Sequence, residues 1–337
     1  MSGAPGRAGT PTAAGTPTTP AAPGITGVAY AFPALSRSVR ELGELGQLQS
    51  PSDTLESLGF GRVHVATTES PYDLALCAAR RLLHEQNVSP ASVELLIYGG
   101  LSGRAAFDAA STAPHAPAPM SRYSYPATRL QFDLGLANAM VWALDQQACT
   151  TLFGAVRLAR AMCATEGMAR VLCVSSEFTA ADGAREAIFN CVSDAACAVL
   201  VDRDAARNRL RGAAHITKGY YWDADALRNE IIASYFPTAR HAVHCALRNA
   251  GWRPDDVSWV IPHNVSLRSW QILLGLLALP NARLWSRNIA RDGHTLAGDN
   301  FINLCDAMRE GAIQPGDRLL LFSYGYGAHW TALALEA

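Results

Sequence analysis

One cysteine, Cys149, stands where its thiol could act as a nucleophile. It opens the segment CTTLFGAVRLARAM, in which apolar residues recur every three or four positions, as they do on one face of a helix. A strand-like run at 139–144 and a short turn at 145–147 precede it. The pattern therefore predicts a thiol at a helix N-terminus, where unpaired N–H groups and the helix dipole stabilise a thiolate and an oxyanion. A cysteine in an apolar segment is more often an inert core residue, so further residues are needed.

Three later segments supply such residues, and each follows or closes a predicted strand. They are IPHN at 261–264, DGHTLAGDN at 292–300 and SYGYGAHW at 323–330. The first two contribute histidine and aspartate side chains, and the third is a glycine-rich loop. Imidazole and carboxylate groups are the usual partners of a nucleophile in covalent catalysis.

The elements that must position these residues follow an α/β order that is repeated once. Residues 72–100 are predicted to form a helix, a proline turn and a buried strand, and residues 239–264 repeat that order. A second pair consists of the helix at ACTTLF leading to strand VLCVSS and the helix at DNFI leading to LLLFSY. Two similar halves in tandem suit a duplicated fold whose site lies where equivalent loops meet.

The expected organisation has three parts and one insertion. Residues 1–24 are rich in Ala, Gly, Pro and Thr and are predicted to be a disordered tail. Residues 25–205 form the N-terminal half with the nucleophile, and residues 206–337 form the C-terminal half with the histidines. The irregular stretch 101–125 is predicted to be a lid or a dimer-contact insertion.

Composition excludes several classes of function. The 28 Lys plus Arg residues balance 29 Asp plus Glu residues, so no overall field favours a nucleic acid or an anionic membrane surface. We expect no transmembrane segment and no secretory signal, and therefore a cytoplasmic location. The eight cysteines contain no CxxC pair, so neither a disulfide framework nor a metal site is predicted.

From about residue 27 to residue 336 the chain resembles the ketosynthase III (3-oxoacyl-carrier-protein synthase III) family. The matching landmarks, in order, are PATRLQFDLGL, QQACTTLFGA, SDAACAVLV, PHN, GHT and the closing glycine-rich loop. The resemblance implies an α/β, thiolase-like duplicated αβαβα layered fold with mixed five-stranded sheets. It also implies a homodimer, and the apolar content of residues 132–142 is compatible with a strand buried at the subunit interface.

The resemblance assigns roles to particular residues. Cys149 matches the acylated nucleophile, and His263 matches the first catalytic histidine of the family. The loop of Gly325, Tyr326 and Gly327 matches the one that helps to form the oxyanion hole. The acyl donor of such enzymes is a phosphopantetheine thioester on acyl carrier protein or coenzyme A, with no permanently bound cofactor. An acidic–Trp pair that grips coenzyme A is missing from residues 48–62, which favours a carrier-protein donor.

The departure from the family pattern is His294, since condensing members have Asn where this chain reads GHT. A histidine can accept the proton that an alcohol or amine loses when it attacks a thioester. Asp299, five residues on, could orient His294 and complete a triad with Cys149. This arrangement resembles the acyltransferase branch of ketosynthase III-like proteins of antibiotic and polyketide biosynthesis, which acylate a small-molecule acceptor.

Four alternatives remain open at this point. Because His263 is retained, the chain could be a decarboxylative condensing enzyme that uses a malonyl thioester. Asp299 could merely cap its helix through the N–H of Phe301 or Ile302, and His294 could be only structural. The chain could also be an inactive partner of a heterodimeric ketosynthase, although an intact Cys149 argues against this.

Overall fold

The computed structural model describes residues 22–100 and 125–337. The predicted insertion at 101–125 lies outside the described residues, apart from its last position, and so does most of the predicted tail. The tail boundary at 24 was wrong, because Gly24 opens the first strand and pairs with Asp202 and Arg209. Strand pairing uses backbone N–H and C=O groups and does not depend on side chains, so amino-acid composition could not predict that Gly24 belongs to a strand. No helix of the described residues is long and apolar enough to cross a membrane.

The described residues contain nine helices and thirteen strands. The helices are α1 (Val39–Glu44), α2 (Ser52–Ser57), α3 (Pro71–Glu85), α4 (Pro126–Asp133), α5 (Thr151–Thr165), α6 (Arg228–Asn249), α7 (Leu267–Leu277), α8 (Arg287–Asp292) and α9 (Asp299–Arg309). The strands are β1 (Gly24–Ala31), β2 (Leu35–Ser38), β3 (Arg62–Val65), β4 (Leu95–Gly99), β5 (Met140–Leu144), β6 (Arg170–Glu177), β7 (Glu186–Ala187), β8 (Asn190–Cys191), β9 (Ala195–Asp202), β10 (Arg209–Thr217), β11 (Trp259–Ile261), β12 (Arg318–Gly325) and β13 (His329–Glu336).

The main sheet is mixed and has the order β11-β12-β13-β10-β1-β9-β6-β4-β5. The N-terminal half contributes five strands, and the C-terminal half contributes four that repeat the same topology. The two sets join at the antiparallel pair of Gly24 and Arg209. The counterpart of β5 in the C-terminal half is reduced to a single parallel bridge between Leu284 and Val260. Within the described residues, the expected second five-stranded sheet is therefore one strand short.

The repeated order of elements predicted from the sequence is confirmed. In the first half, α3 leads through a 3-10 turn at Pro90–Ser92 to β4. In the second half, α6 leads through a 3-10 turn at Pro254–Asp256 to β11. The helix α5 leads to β6 in the same way that α9 leads to β12.

Alternating side chains along the strands divide the core into layers, as the period of two in a strand requires. Leu319 and Leu321 of β12 face the cluster that surrounds α5 and α9, whereas Leu320 and Phe322 face the cluster around α6 and α7. On the opposite side, α3 covers the N-terminal strands. The thiolase-like αβαβα layering is thus confirmed, with α5 and α9 as the central helices.

Candidate active site

Cys149 lies in a 3-10 turn (Ala148–Thr150) immediately before α5, and its side chain is buried. Two non-glycine residues of this segment, Gln146 and Ala148, have positive φ angles of 63° and 46°. The turn is held locally by the hydroxyl of Thr150, which donates to the carbonyl of Gln147 at 2.7 Å. The predicted placement at a helix start is confirmed, and β5 delivers the chain to it.

The glycine-rich loop at the end of β12 packs directly against the nucleophile turn. A Cβ on Gly325 would lie 2.4 Å from the carbonyl oxygen of Gln147 and 3.3 Å from the backbone nitrogen of Cys149. Only glycine permits this approach of two backbones. The hydroxyl of Ser323 donates to the carbonyl of Cys149 at 3.2 Å. The oxyanion role of the loop stays a prediction.

Tyr326 brings a side chain as well as a backbone to this loop. Its half-buried ring packs edge-on against Tyr324, with 5.4 Å between the ring centroids. Burial raises the pKa of the Tyr326 phenol, and the nearby sulfur of Cys149 adds to the rise. Gly327 follows with a positive φ of 116°.

His294 is the imidazole that reaches the thiol. Its Nε2 lies 3.5 Å from Sγ of Cys149, and its Nδ1 lies 2.6 Å from Oδ2 of Asp299. The backbone N–H of His294 donates to the carbonyl of Cys191 at 2.8 Å. Gly293 precedes it with φ 66° and ψ −158°, and a Cβ there would lie 2.9 Å from that same carbonyl.

Asp299 accepts hydrogen bonds on both carboxylate oxygens and is fully buried. Oδ1 accepts from the backbone N–H and the hydroxyl of Thr295 at 2.6 and 2.7 Å. Oδ2 accepts from the backbone N–H of Asn264 at 2.7 Å. The N-cap of α9 is Gly298, and the helix has no side-chain cap. The alternative in which Asp299 only caps its helix was therefore wrong.

His263 binds the same carboxylate from the other side. Its Nδ1 lies 3.1 Å from Oδ2 of Asp299, and its ring meets that of His294 edge-on at 4.7 Å between centroids. The residue follows β11, and its carbonyl accepts a hydrogen bond from the indole of Trp270 at 2.8 Å. One carboxylate oxygen thus orients both histidines.

The pKa values of the two histidines are shifted in opposite directions. Burial alone would lower the pKa of His294, but the Asp299 carboxylate and the Cys149 sulfur raise it to about 10. Burial lowers the pKa of His263, and the hydrogen bond that its Nδ1 donates to Asp299 only partly offsets this. Burial opposes ionisation of Asp299, yet the charge of His294 and the histidine hydrogen bonds hold its pKa well below the usual range. The surroundings therefore favour the charged form of His294 and the neutral form of His263.

His263, His294 and Asp299 also have the residue types of a metal site, with their ligand atoms all within 4.8 Å of one another. Both Nδ1 atoms, however, contact one oxygen directly, at 2.6 and 3.1 Å. Metal bonds of about 2.0–2.2 Å would leave the N and O atoms farther apart than the shorter of these contacts. The geometry is that of hydrogen bonds.

Sequence reasoning missed a buried polar face on α9. Asn300 donates to the carbonyls of Ile261 and Phe322, which lie on two neighbouring strands. Asn303 donates to the carbonyl of Pro262 and to the side chain of Asn264. The signal was the polar spacing in DNFIN, where three polar residues lie on one face of the helix.

Sequence comparisons show which known proteins this chain is similar to. A family model described as 3-oxoacyl-[acyl-carrier-protein] synthase III C terminal matches residues 247–337. Beta-ketoacyl-[acyl-carrier-protein] synthase III of Rhodobacter capsulatus is 25% identical over 340 residues, covering 93% of this chain and 98% of its own length.

Two solved structures show the same fold. The 3-oxoacyl-[acyl-carrier-protein] synthase III of Aquifex aeolicus superposes with a TM-score of 0.79 at 21% identity, covering 94% of this chain and all of that chain. A protein named ChlB3 and described as an acyltransferase has a TM-score of 0.79 at 20% identity, covering 94% of this chain and 98% of its own.

This chain shares the layered, duplicated thiolase-like fold of these structures and has a cysteine at the turn before a central helix. Across most of its length the chain is similar in sequence to beta-ketoacyl-[acyl-carrier-protein] synthase III proteins, and residues 247–337 match the C-terminal model of that family.

Proposed function

We propose that this chain is an acyltransferase that carries an acyl group on Cys149 and passes it to a hydroxyl or amine of a small secondary-metabolite acceptor. The observation that carries the proposal is the line of contacts from Cys149 Sγ through His294 to Asp299, at 3.5 and 2.6 Å. A histidine in this position can both give and take a proton.

The first step loads the enzyme. The thiolate of Cys149 attacks the carbonyl carbon of the donor thioester, so a new S–C bond forms and the bond to the pantetheine sulfur breaks. Protonated His294 gives its Nε2 proton to the departing sulfur, which leaves as a neutral thiol. The acyl-enzyme then holds a neutral imidazole that Asp299 keeps oriented through Nδ1.

The second step transfers the acyl group from Cys149 to the acceptor. The acceptor oxygen or nitrogen attacks the thioester carbon while Nε2 of His294 takes its proton. The S–C bond breaks, and Cys149 leaves as a thiolate next to the protonated imidazole. Asp299 stabilises the positive charge of His294 at the start and the end of the cycle.

For the donor we propose an acyl carrier protein in preference to coenzyme A. The relatives reported above are named for a reaction with an acyl carrier protein. The acidic–Trp pair expected for the nucleotide end of coenzyme A is missing from residues 48–62. The phosphopantetheine thioester is common to both donors, so the chemistry at Cys149 is the same.

A second candidate function is decarboxylative condensation, and His263 is the observation that favours it. Its ring is buried and its Nδ1 contacts Asp299, so Nε2 is the ring atom left for a thioester carbonyl, to which it can donate when His263 is protonated. The curated relatives are named as synthases of this condensing type. In that reaction Cys149 would hold the starter while carbon dioxide leaves a malonyl thioester.

We also propose that the chain forms a homodimer through the edge of the sheet at β5. This strand is the last in the sheet order and exposes Met140 and Trp142. On the neighbouring helix α4, Phe132 is 80% exposed. An exposed strand edge with large apolar side chains is a ready pairing surface.

Intact-mass measurement tests the nucleophile. The wild type should gain one acyl mass when it is incubated with acyl-carrier-protein or acyl-coenzyme A, and Cys149→Ala should gain none. Cys77→Ala is the matched control, since Cys77 is an exposed cysteine on α3. An adduct that survives in Cys149→Ala ends the nucleophile proposal.

A second measurement separates the two reactions. With a malonyl thioester and acyl-loaded enzyme, the acyltransferase should release no carbon dioxide, whereas a condensing enzyme must release one molecule for each bond formed. Release that depends on both malonyl thioester and Cys149 would establish condensation instead.

A further inference from the structure

The turn that presents Cys149 has a backbone conformation that needs support from outside. Gln146 and Ala148 both adopt the left-handed region without being glycines. Such residues persist where the surrounding structure holds them. Local bonds join the N–H of Gln146 to the carboxylate of Asp145 and Thr150 to the carbonyl of Gln147, whereas the carbonyl of Gln146 is contacted by another element.

His329, the first residue of β13, supplies that contact. Its Nε2 lies 3.0 Å from the carbonyl oxygen of Gln146. Because a carbonyl only accepts, Nε2 carries the proton and donates it. Nδ1 is then an acceptor, and it lies 2.9 Å from the hydroxyl of Thr217 on β10.

The chain of hydrogen bonds continues to a second histidine. The hydroxyl of Thr217 donates to Nδ1 of His329 and lies 3.1 Å from Nε2 of His215, from which it accepts. This order needs a neutral His329, because its Nδ1 must accept, and a His215 that carries its proton on Nε2. Burial lowers the pKa of His329. The pKa of His215 is lowered to about 4, first by burial and then by the charges of Arg157 and His329.

Strand register places these hydrogen bonds next to the glycine-rich loop that packs against the nucleophile turn. His329 pairs with Gly325 across β12 and with Thr217 across β10. Gly325 in turn packs on the carbonyl of Gln147. β13 is therefore linked to the nucleophile turn at two points, directly through His329 and indirectly through its partner residue Gly325 on β12.

We infer that His329 is a positioning residue that fixes the nucleophile turn through the carbonyl of Gln146, with Thr217 holding its ring. The inference rests on the proposed function, because it requires Cys149 to be the acylated residue. The ring touches neither the thiol nor the histidines of the site in the contacts described above, so it acts through the backbone.

The experiment compares the single-turnover acylation of Cys149 in four proteins by intact mass. His329→Ala should lower the maximal acylation rate about 10- to 100-fold, because a displaced nucleophile loses its alignment, while the donor concentration for half-maximal rate changes less than about threefold. His329→Gln keeps an N–H donor and should recover to within about threefold of the wild type. Thr217→Val should lie between the two.

His241→Ala is the matched control, since His241 is an exposed histidine on α6. Acylation of His329→Ala at the wild-type rate would overturn the inference, and so would a Gln variant that is as slow as the Ala variant. If the wild type itself gains no adduct at Cys149, the proposed function fails, which is a separate result.

Discussion

Asp299 is the residue on which the chemistry of the site depends. One of its oxygens accepts from His263, His294 and the backbone of Asn264, and the other accepts twice from Thr295. A buried carboxylate with this many donors stays ionised. Its charge favours a proton on the Nδ1 atoms of the histidines, and so it would support both the acid and the base role that we propose for His294.

The substitution His294→Asn should separate transfer from loading. Asparagine can donate a hydrogen bond but cannot take a proton, so transfer from preloaded enzyme should fall by about 100-fold or more. Self-acylation should fall less, because Cys149 keeps its place before α5. Loss of the acyl adduct can be followed by mass with ethanolamine as a surrogate acceptor. Equal losses in both steps would contradict a base role specific to transfer.

The charged pair of His294 and Asp299 should make stability depend on pH. The folded-state pKa of His294 is raised from 6.5 to about 10, so its contribution is complete below about 6.5 and is lost as pH rises through about 10. The pKa of Asp299 is lowered from 3.8, so its contribution is present above that value and is lost as pH falls. The pair therefore stabilises most between about pH 4 and 6.5.

Asp299→Asn should cost about 3–5 kcal/mol of unfolding free energy in that window, because it leaves buried His294 without its counter-charge. The difference from wild type should shrink toward pH 10. Urea unfolding at a series of pH values measures it. A difference that does not vary with pH would show that Asn disturbs packing and not charge.

At the scale of elements, the close approach of β12 to the nucleophile turn sets the position of Cys149. The sequence predicted both segments, and the strand and helix they belong to, from local patterns. It could not predict that Gly325 lies against the backbone of Cys149, because the two are brought together only by packing of the central layers.

Gly325→Ala should therefore abolish most of the acylation and destabilise the fold by about 1–3 kcal/mol, since its Cβ would overlap the carbonyl of Gln147. Gly275→Ala is the matched control, because a Cβ in this position of α7 meets nothing within 4 Å. That control should be neutral or stabilising by up to about 1 kcal/mol. Thermal unfolding and intact mass check both, and normal acylation of Gly325→Ala would refute the close-approach argument.

At the scale of the whole molecule, the site exists only because the two halves share one core. Cys149 comes from the N-terminal half, whereas His263, His294 and Asp299 come from the C-terminal half. The rings of Phe153 on α5 and Phe301 on α9 pack edge-on at 5.2 Å between centroids, and so fix the two central helices. The thiol and the imidazole that meet at 3.5 Å are 145 residues apart in the chain.

The proposed dimer is tested at the same scale. Trp142→Glu places a charge on the exposed edge at β5 and should convert a dimer to a monomer, because burying an unpaired charge at an interface is costly. Trp222→Glu is the control, since Trp222 is 77% exposed away from that edge. Light scattering coupled to size exclusion gives the mass. A dimeric Trp142→Glu protein would place the interface elsewhere.

The sequence by itself determined the order of elements, the repeat, and the four residues that meet at the site. The order and the repeat follow from local periodicity, whereas the four residues follow from the resemblance of short motifs to the ketosynthase III family. Only the tertiary structure decided that Asp299 orients two histidines and is not a helix cap, and that His329 reaches the nucleophile turn. Those contacts join segments far apart in the chain, and their distances are set by how the layers pack, which no local pattern records.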